Sequence, residues 1–234
     1  MKKTIIFLFI TFSLVACNNV INQEHASKET NHHKEEKHHH GHSANEHMHK
    51  RPVEELIKEF ESAERDAYQK PDKVLKYLGD ISTKKIIDIG TGSGYFAVKL
   101  AAQDAEVIAA DVSDEFLVAL DKRITENNLN NIETRKIPYD EPGLAPEEVD
   151  MVLIINTYHH IEDRSTYFNK VKAGTKTTGE LVIIDFFKTE VPVGPPVNHK
   201  ISIDQVIAEL KRAGYTSFVV NVDLLPYQFI IKAN

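Results

Sequence analysis

A glycine-rich segment near the middle of the chain has the spacing of a ligand-binding loop. Glycine occupies every second position of it, at Gly90, Gly92 and Gly94. Glycine lets a backbone turn sharply and approach a bound nucleotide closely. A dinucleotide loop would have a third glycine at the position of Tyr95, and the carboxylate of Asp88 would repel a pyrophosphate. The segment therefore disfavours a dinucleotide, and with it a nicotinamide-dependent oxidoreductase.

A second carboxylate, Asp111, follows the next apolar run, about twenty residues after the loop, where a carboxylate can accept hydrogen bonds from ribose hydroxyls. Asp88 would attract an ammonium or sulfonium group. Together the two aspartates indicate a nucleoside with a cationic tail. The alternatives are that the glycines only form a turn and that Asp111 caps a helix, although Ser113 and Asp114 are better placed for capping.

Side chains that could transfer protons follow the later apolar runs. The candidates are Tyr158, His159, His160, Asp185 and His199. His159 and His160 are preferred, because imidazole accepts a proton near neutral pH. The alternative is that one of the two histidines has only a structural role.

Alternating strands and helices are predicted to position these residues. Apolar runs predict strands at 85–89, 106–110, 131–136, 149–155 and 180–185. Helical spacing predicts helices at 53–66, 71–78, 95–103, 114–128, 164–172 and 203–213. Two final strands, at 217–224 and 227–232, are joined by too short a link for a crossover, so they should pair antiparallel. The predicted class is α/β, with a mostly parallel sheet covered on both faces.

Three segments of the sequence resemble class I S-adenosylmethionine-dependent methyltransferases. DIGTGSGYF and AADVS are similar to the first two motifs of that family, and VDMVLIINTYHHIEDRSTYFNKV is similar to its fourth strand and following helix. The resemblance covers roughly residues 62–232. It implies a three-layer Rossmann-like fold with seven strands, S-adenosylmethionine as the cofactor, and methyl transfer as the activity.

The resemblance also assigns roles to individual residues. It implies that Asp88 and the three glycines contact the methionine part of the cofactor and that Asp111 holds the ribose. Asp140 would lie near the adenine, or else be a plain turn residue before Pro142. Asn156 would contact the cofactor from the end of the fourth strand, where many relatives have an acidic residue. The segment TKTTGE, expected as the turn before the fifth strand, lacks the usual Pro-Gly-Gly.

The N-terminal segment has the pattern of an export signal. Residues 1–17 combine a basic start, an apolar stretch and Leu14-Val15-Ala16-Cys17, which resembles the bacterial lipoprotein box. Lipidation of Cys17 would anchor the protein to a membrane of the cell envelope; the alternative is an uncleaved apolar anchor. Cys17 is the only cysteine, so no intrachain disulfide can form.

Residues 18–51 contain nine of the twelve histidines and few large apolar side chains, which predicts a disordered linker ahead of a methyltransferase domain at 52–234. The cluster His38, His39, His40 and His42 offers imidazoles that could weakly bind a divalent metal; the alternative is a solvated spacer. Residues 52–234 contain 21 Lys and Arg against 30 Asp and Glu, a formal charge of −9, which disfavours nucleic acid as a partner.

The sequence thus predicts methyl transfer from S-adenosylmethionine to a small-molecule acceptor by a membrane-anchored lipoprotein. The alternative is a non-catalytic exported lipoprotein whose histidine tract binds metal. Export conflicts with a cofactor that is made in the cytoplasm. The enzyme could receive cofactor outside, act before or without export, or retain the fold for binding alone.

Overall fold

The computed structural model describes residues 51–234, which begin with three short helices. These are α1 (Val53–Phe60), α2 (Ala63–Gln69) and α3 (Pro71–Leu78). The predicted single helix over 53–66 is wrong, because Glu61 and Ser62 are not helical and separate α1 from α2. The Ser62 hydroxyl caps α2 by accepting a hydrogen bond from the backbone N–H of Arg65 at 3.2 Å. α3 has Pro71 at its first position and Gly79 directly after its last residue, as predicted.

Strands and helices then alternate as the apolar runs predicted. The strands are β1 (Lys85–Ile89), β2 (Glu106–Asp111), β3 (Ile132–Lys136), β4 (Val149–Ile155), β5 (Thr175–Phe186), β6 (Phe218–Asn221) and β7 (Gln228–Ala233). The helices are α4 (Tyr95–Ala101), α5 (Asp114–Glu126), α6 (Arg164–Gly174) and α7 (Ile203–Arg212). Tyr158–His160 forms a short 3₁₀ turn after β4, and Val197–His199 forms another before α7.

The strands form one seven-stranded sheet in the order β3-β2-β1-β4-β5-β7-β6. β1 to β5 are parallel, and β7 is antiparallel to both β5 and β6, so the predicted fold class is confirmed. The strand order reverses between β1 and β4. In a parallel sheet the two loops at this point diverge and leave a crevice at the carboxyl ends of the strands.

The core lies on both faces of the sheet because the central strands are buried on both sides. Ile87 and Ile183 belong to the apolar cluster on one face, and Ile86 and Ile184 to the cluster on the other. All four side chains are fully buried. Continuous apolar strands of this kind are expected where helices cover a parallel sheet on both sides.

β5 begins earlier than the sequence predicted. The segment 175–180, expected as a turn, is already part of the strand, and the pairing with β4 shifts in register between Val149 and Met151. Lys176 fixes this irregular start through its Nζ atom, 2.9 Å from a carboxylate oxygen of Asp150. The polar residues of the segment therefore bind the start of β4 and do not form a free loop.

Within residues 51–234, no helix is long and apolar enough to cross a membrane. The predicted signal segment 1–17, with Cys17, lies outside the described residues. The same holds for nearly all of the predicted linker, including His38, His39, His40 and His42.

Candidate active site

The glycine loop joins β1 to α4 and requires glycine for two separate reasons. The φ angle is +74° at Gly90, +54° at Gly92 and +78° at Gly94, a region that side-chain-bearing residues rarely adopt. A Cβ atom on Gly90 would also lie 2.4 Å from the Thr157 side chain, and one on Gly94 would lie 2.4 Å from Leu120. The backbone of the loop is therefore tightly packed at the carboxyl end of β1, beside the crevice.

Asp88 lies at the end of β1 and is 3% exposed. Its Oδ2 atom accepts a hydrogen bond from the Thr91 hydroxyl at 2.9 Å. Burial raises the pKa of Asp88 to about 6, and it outweighs the opposing effects of Thr91 and Arg65. No ion pair of residues 51–234 includes Asp88. A cationic ligand group close to Asp88 would therefore stabilise the charged form of this buried carboxyl group.

Asp111, at the end of β2, holds the middle of the glycine loop. One carboxylate oxygen accepts the backbone N–H of Gly92 at 2.9 Å, and the other accepts the backbone N–H of Ser113 at 2.9 Å. Burial raises the pKa of Asp111, while these backbone N–H groups lower it. The Ser113 hydroxyl caps α5 at the N–H of Phe116, as predicted. Asp111 is therefore tied to the loop and is not the side chain that caps the helix.

The end of α1 packs over the glycine loop. A Cβ atom on Gly92 would lie 3.3 Å from the ring of Phe60, and that ring stacks on Phe116 with 5.8 Å between centroids. Glu61 accepts hydrogen bonds from the Ser93 hydroxyl at 2.6 Å and from Arg123 at 2.7 Å. The segment before β1 thus covers the loop at the cofactor end of the crevice.

Among residues 51–234, Arg65 on α2 forms no ion pair with a carboxylate. Its Nη1 atom donates to the backbone carbonyl of Phe60 at 3.2 Å, and its guanidinium lies 4.2 Å from the ring centroid of Tyr95. The buried Nε atom has no hydrogen-bond partner in the described part of the chain. Burial lowers the pKa of Arg65, and nearby groups that include Asp88 oppose this effect. A buried guanidinium with an unused N–H is suited to an anionic ligand group.

Asn156 follows β4 and is fixed in a left-handed conformation with φ +57°. Its backbone N–H donates to the carbonyl of Ile184 at 2.9 Å. Its side-chain Nδ2 atom donates to Gln69 at 3.1 Å, and its Oδ1 atom accepts from Gln228. Asn156 therefore lies on the β4 side of the crevice with its amide held by two other amides.

His159 forms a dyad with Asp185 at the carboxyl ends of β4 and β5. The His159 Nδ1 atom lies 2.9 Å from the Asp185 Oδ2 atom, and the backbone N–H of His159 donates to the same oxygen at 3.2 Å. Both side chains are 4% exposed. The carboxylate selects the tautomer with hydrogen on Nδ1, which leaves Nε2 able to accept a proton.

Tyr158 and His160 differ from His159 in their surroundings. The Tyr158 hydroxyl donates to Glu209 on α7 at 2.6 Å, its ring stacks on Phe168, and burial raises its pKa. The Tyr158 hydroxyl is therefore directed into the α6 and α7 layer, which favours a structural role over the predicted catalytic one. Burial, with a smaller effect of His159, lowers the pKa of His160 to about 3. His160 is thus a poorer proton acceptor than the sequence suggested.

Asp140 lies in the exposed turn after β3, on the same edge of the sheet as the glycine loop. Its backbone carbonyl accepts a hydrogen bond from Lys170 at 3.1 Å. The exposed position fits either prediction made from the sequence, an adenine neighbour or a turn residue.

Comparisons with known proteins agree with this architecture. The model of the methyltransferase domain family matches residues 81–214, more than half of the chain. The chain belongs to the methyltransferase domain family. This methyltransferase domain includes the glycine loop, both aspartates, Asn156 and the His159–Asp185 dyad.

Individual relatives match parts of the domain. The ubiquinone biosynthesis O-methyltransferase of Acinetobacter baumannii (strain AYE) is 29% identical over 114 residues, which are 47% of this chain and 46% of that protein. An uncharacterized methyltransferase of Bacillus subtilis is 21% identical over 150 residues, 64% of this chain and 56% of that protein. The chain thus spans about half the length of these curated relatives.

Solved structures match more of the chain. A SAM-dependent methyltransferase from Aquifex aeolicus is 27% identical, with a TM-score of 0.72, and the match covers 78% of this chain and 98% of that one. The phosphoethanolamine N-methyltransferase 2 of Haemonchus contortus, solved with S-adenosyl-L-methionine, shares the fold at 19% identity and a TM-score of 0.58, over 65% of this chain and 38% of that one.

The methyltransferase domain has side chains that fit S-adenosylmethionine. The glycine loop offers close backbone approach, Asp88 is a buried carboxyl group with no ion-pair partner among residues 51–234, and Arg65 has an unused buried N–H. These groups suit the methionine part, which carries both an ammonium and a carboxylate. Within residues 51–234, no group of three or more His, Cys, Asp or Glu side chains could hold a metal ion.

Two side chains of the site had no strong signal in the sequence. Gln228 was not singled out, because it is one polar residue at the start of a strand far from any motif. Arg65 is likewise a single polar residue, on a short helix ahead of the first strand. Both reach the site through packing between distant parts of the chain, and the distance of Gln228 from Gln69, 159 positions, illustrates this.

Proposed function

We propose that the chain transfers a methyl group from S-adenosylmethionine to a hydroxyl group of a small-molecule acceptor. The observation that carries the proposal is the glycine loop at the strand-order reversal, flanked by the buried carboxyl groups of Asp88 and Asp111. A hydroxyl acceptor is favoured because the His159–Asp185 dyad can remove a proton. The Acinetobacter relatives are O-methyltransferases of ubiquinone biosynthesis, which supports the same acceptor chemistry.

In this proposal several groups of the chain hold the cofactor. Asp88 binds the ammonium, Arg65 the carboxylate and Asp111 the ribose hydroxyls, while Asn156 contacts the methionine part from β4. Asp140 lies toward the adenine. S-adenosylmethionine supplies an electrophilic methyl group on a sulfonium that leaves as a neutral thioether.

The dyad performs the proton chemistry. His159 accepts the acceptor hydroxyl proton on Nε2 as the oxygen becomes the nucleophile, and Asp185 holds the ring by Nδ1 and compensates the positive charge. The remaining work is alignment and exclusion of water, which the segment over the glycine loop would assist. Metal assistance is not part of the proposal for the described domain.

Ligand binding tests the cofactor assignment. Isothermal titration of the full-length chain with S-adenosylmethionine and its demethylated product should give saturable binding, and NADH should give none. An Asp111→Ala variant should bind at least about tenfold more weakly, because it loses both a ribose partner and the acceptor of the Gly92 N–H. A folded wild-type chain that binds neither S-adenosylmethionine nor its demethylated product at millimolar concentration would contradict the proposal.

We also propose that Cys17 carries a lipid that anchors the protein to a membrane of the cell envelope, with residues 18–51 as the linker. The support is the Leu14-Val15-Ala16-Cys17 pattern at the end of an apolar segment. A Cys17→Ser variant should leave the membrane fraction and lose labelling by a fatty-acid probe. Unchanged fractionation together with unchanged labelling would overturn the anchor.

A further inference from the structure

Three amide side chains from distant parts of the chain close into a ring beside the crevice. The Gln69 Nε2 atom donates to Gln228 Oε1 at 2.8 Å, the Gln228 Nε2 atom donates to Asn156 Oδ1, and the Asn156 Nδ2 atom donates to Gln69 Oε1 at 3.1 Å. The ring joins the last residue of α2, the residue after β4 and the first residue of β7. Each amide uses one donor and one acceptor, so all three bonds are satisfied together.

Exposure separates the members of the ring. Gln69 is 0% and Gln228 is 1% exposed, whereas Asn156 is only partly buried. Asn156 is therefore the member whose remaining N–H and carbonyl lone pair can reach a ligand. Gln69 is also the only fully buried side chain of α2, so a polar contact supplements the packing of Tyr68 against Phe186 where this helix meets the sheet.

A ring of this kind fixes orientation more than it adds stability. A single buried hydrogen bond contributes little net stability, because the unfolded chain forms hydrogen bonds to water instead. An amide held by one donor and one acceptor, however, cannot rotate without breaking both bonds. The backbone of Asn156 is fixed as well, by its bond to Ile184. Asn156 is thus preorganised at the edge of the crevice.

We propose that Gln69 and Gln228 are positioning residues that hold the Asn156 amide against the bound cofactor. The proposal rests on the proposed function, since Asn156 is taken to contact the methionine part of S-adenosylmethionine. Neither glutamine need touch the cofactor, because both act through Asn156. Since Gln69 also ends α2, the same ring sets the place of the helix that brings Arg65 to the site.

A carboxylate substitution gives a test that does not depend on which way the amides point. In Gln228→Glu the ionised side chain can only accept, so Gln69 and Asn156 must both donate to it, and their oxygen atoms then face each other. The protonated side chain has one donor and one acceptor and restores the ring. Cofactor affinity of the variant should therefore depend on pH in a way that the wild type does not share.

The dissociation constant for S-adenosylhomocysteine is measured for the variant and for the wild type between pH 5.5 and 8.5. The quantity compared is the ratio of the two constants at each pH. Taking the ratio cancels titration of groups common to both proteins. The charged and titratable groups within four residues of a ring member are Arg65, Asp66, Tyr68, Lys70, Asp72, Lys73, Tyr158, His159, His160, Tyr227 and Lys232, and Asp88 and Asp185 lie at the ends of the neighbouring strands. For Gln228→Glu the ratio should be at least about tenfold at pH 8.5 and fall toward unity at pH 5.5. Gln103→Glu, which adds the same charge at an exposed position, should give a ratio near unity throughout.

Gln69→Glu repeats the test from the other side of the ring and should show the same pH dependence. A purely structural ring would lower the thermal midpoint of both variants and leave the affinity ratio flat. A flat ratio in variants that bind the nucleoside would therefore overturn the positioning role while leaving the proposed function intact. Failure of the wild type itself to bind would instead remove the proposed function, and the positioning role with it.

Discussion

The Nδ1 atom of His159 lies 2.9 Å from the Oδ2 atom of Asp185, and the backbone N–H of His159 bonds to the same carboxylate. Two bonds from one residue to one carboxylate fix both the ring and the turn that carries it. The neighbouring His160 has a pKa of about 3, so it is neutral and weakly basic at neutral pH. The two adjacent histidines are thus distinguishable by experiment.

We expect His159→Gln to lower kcat by a factor of about 10² or more, since a positioned general base contributes roughly 10² to 10⁴. His160→Gln should change kcat much less. The measurement is methyl transfer from labelled S-adenosylmethionine to a panel of phenols and alcohols. Affinity for S-adenosylhomocysteine should be unchanged in both variants. Equal losses of kcat at the two positions would argue against the dyad as the base.

A substitution in the glycine loop can separate the cost of backbone strain from the cost of a steric clash with a neighbouring side chain. Gly94→Ala places a methyl group 2.4 Å from the side chain of Leu120, which is buried in the core at 1% exposure. Gly214 also has a positive φ, +97°, but its nearest neighbour is the flexible Lys172 side chain at 3.7 Å. Gly214→Ala should cost about 1 to 2 kcal/mol of unfolding free energy from backbone strain alone.

Gly94→Ala should cost clearly more than the Gly214 control and should also abolish cofactor binding, because the shifted loop can no longer meet Asp111. Chemical denaturation and nucleoside titration of the two variants provide the comparison. Similar losses of stability, together with retained binding in Gly94→Ala, would contradict the close packing of the loop.

The buried carboxyl group of Asp88 predicts a pH-dependent stability. Its folded pKa of about 6 lies above the ordinary value of 3.8, so the folded state holds the proton more tightly than the unfolded state. The contribution of this group to stability is therefore full below about pH 4 and is lost as the pH rises through 6. The shift corresponds to at most about 3 kcal/mol.

Asp88→Asn removes this dependence and keeps an oxygen that can accept the Thr91 hydroxyl bond. Without ligand, the variant should be more stable than the wild type at pH 7.5, and the difference should disappear near pH 4. Affinity for S-adenosylmethionine should fall at pH 7.5, since the ammonium loses its anion. Thermal unfolding across this pH range measures the first effect; a difference that grows toward low pH would contradict the assignment.

The sequence predicted the strands, the antiparallel final pair and the glycine loop with Asp111 after the next strand, because each of these depends on local pattern. The run 149–155 is apolar throughout, and the glycine spacing after β1 is visible without any tertiary information. The break between α1 and α2 was missed, since the apolar spacing continues across Glu61 and Ser62 while the capping by Ser62 opposes it. The hydroxyl of Tyr158 was misplaced for a related reason: position after a strand does not reveal that Glu209 on α7 will bind it.

The site residues that the sequence did not connect are those joined only by tertiary contacts. Gln69 and Gln228 meet in the amide ring, and the guanidinium of Arg65 lies over the ring of Tyr95. Polar residues of this kind carry no periodicity, and each would be unremarked on an exposed surface. Their burial in the folded chain is what identifies them.

Arg65 gives a last prediction, which concerns one functional group of the ligand. Its buried Nε atom has no partner, and no ion pair of residues 51–234 includes its guanidinium. Arg65→Met keeps much of the apolar stem and removes the charge. If Arg65 binds the cofactor carboxylate, the variant should bind S-adenosylmethionine about ten to a hundredfold more weakly, as expected for a lost charged hydrogen bond.

Decarboxylated S-adenosylmethionine provides the matched ligand, because it lacks only the carboxylate. Wild type and Arg65→Met should bind it with similar affinity, so that the loss appears for one ligand and not for the other. Arg212→Met, at an exposed position of α7, should discriminate between the two ligands as the wild type does. Equal weakening of both ligands by Arg65→Met would show that the guanidinium acts on the shape of the site, through Tyr95 and Phe60, and not on the carboxylate.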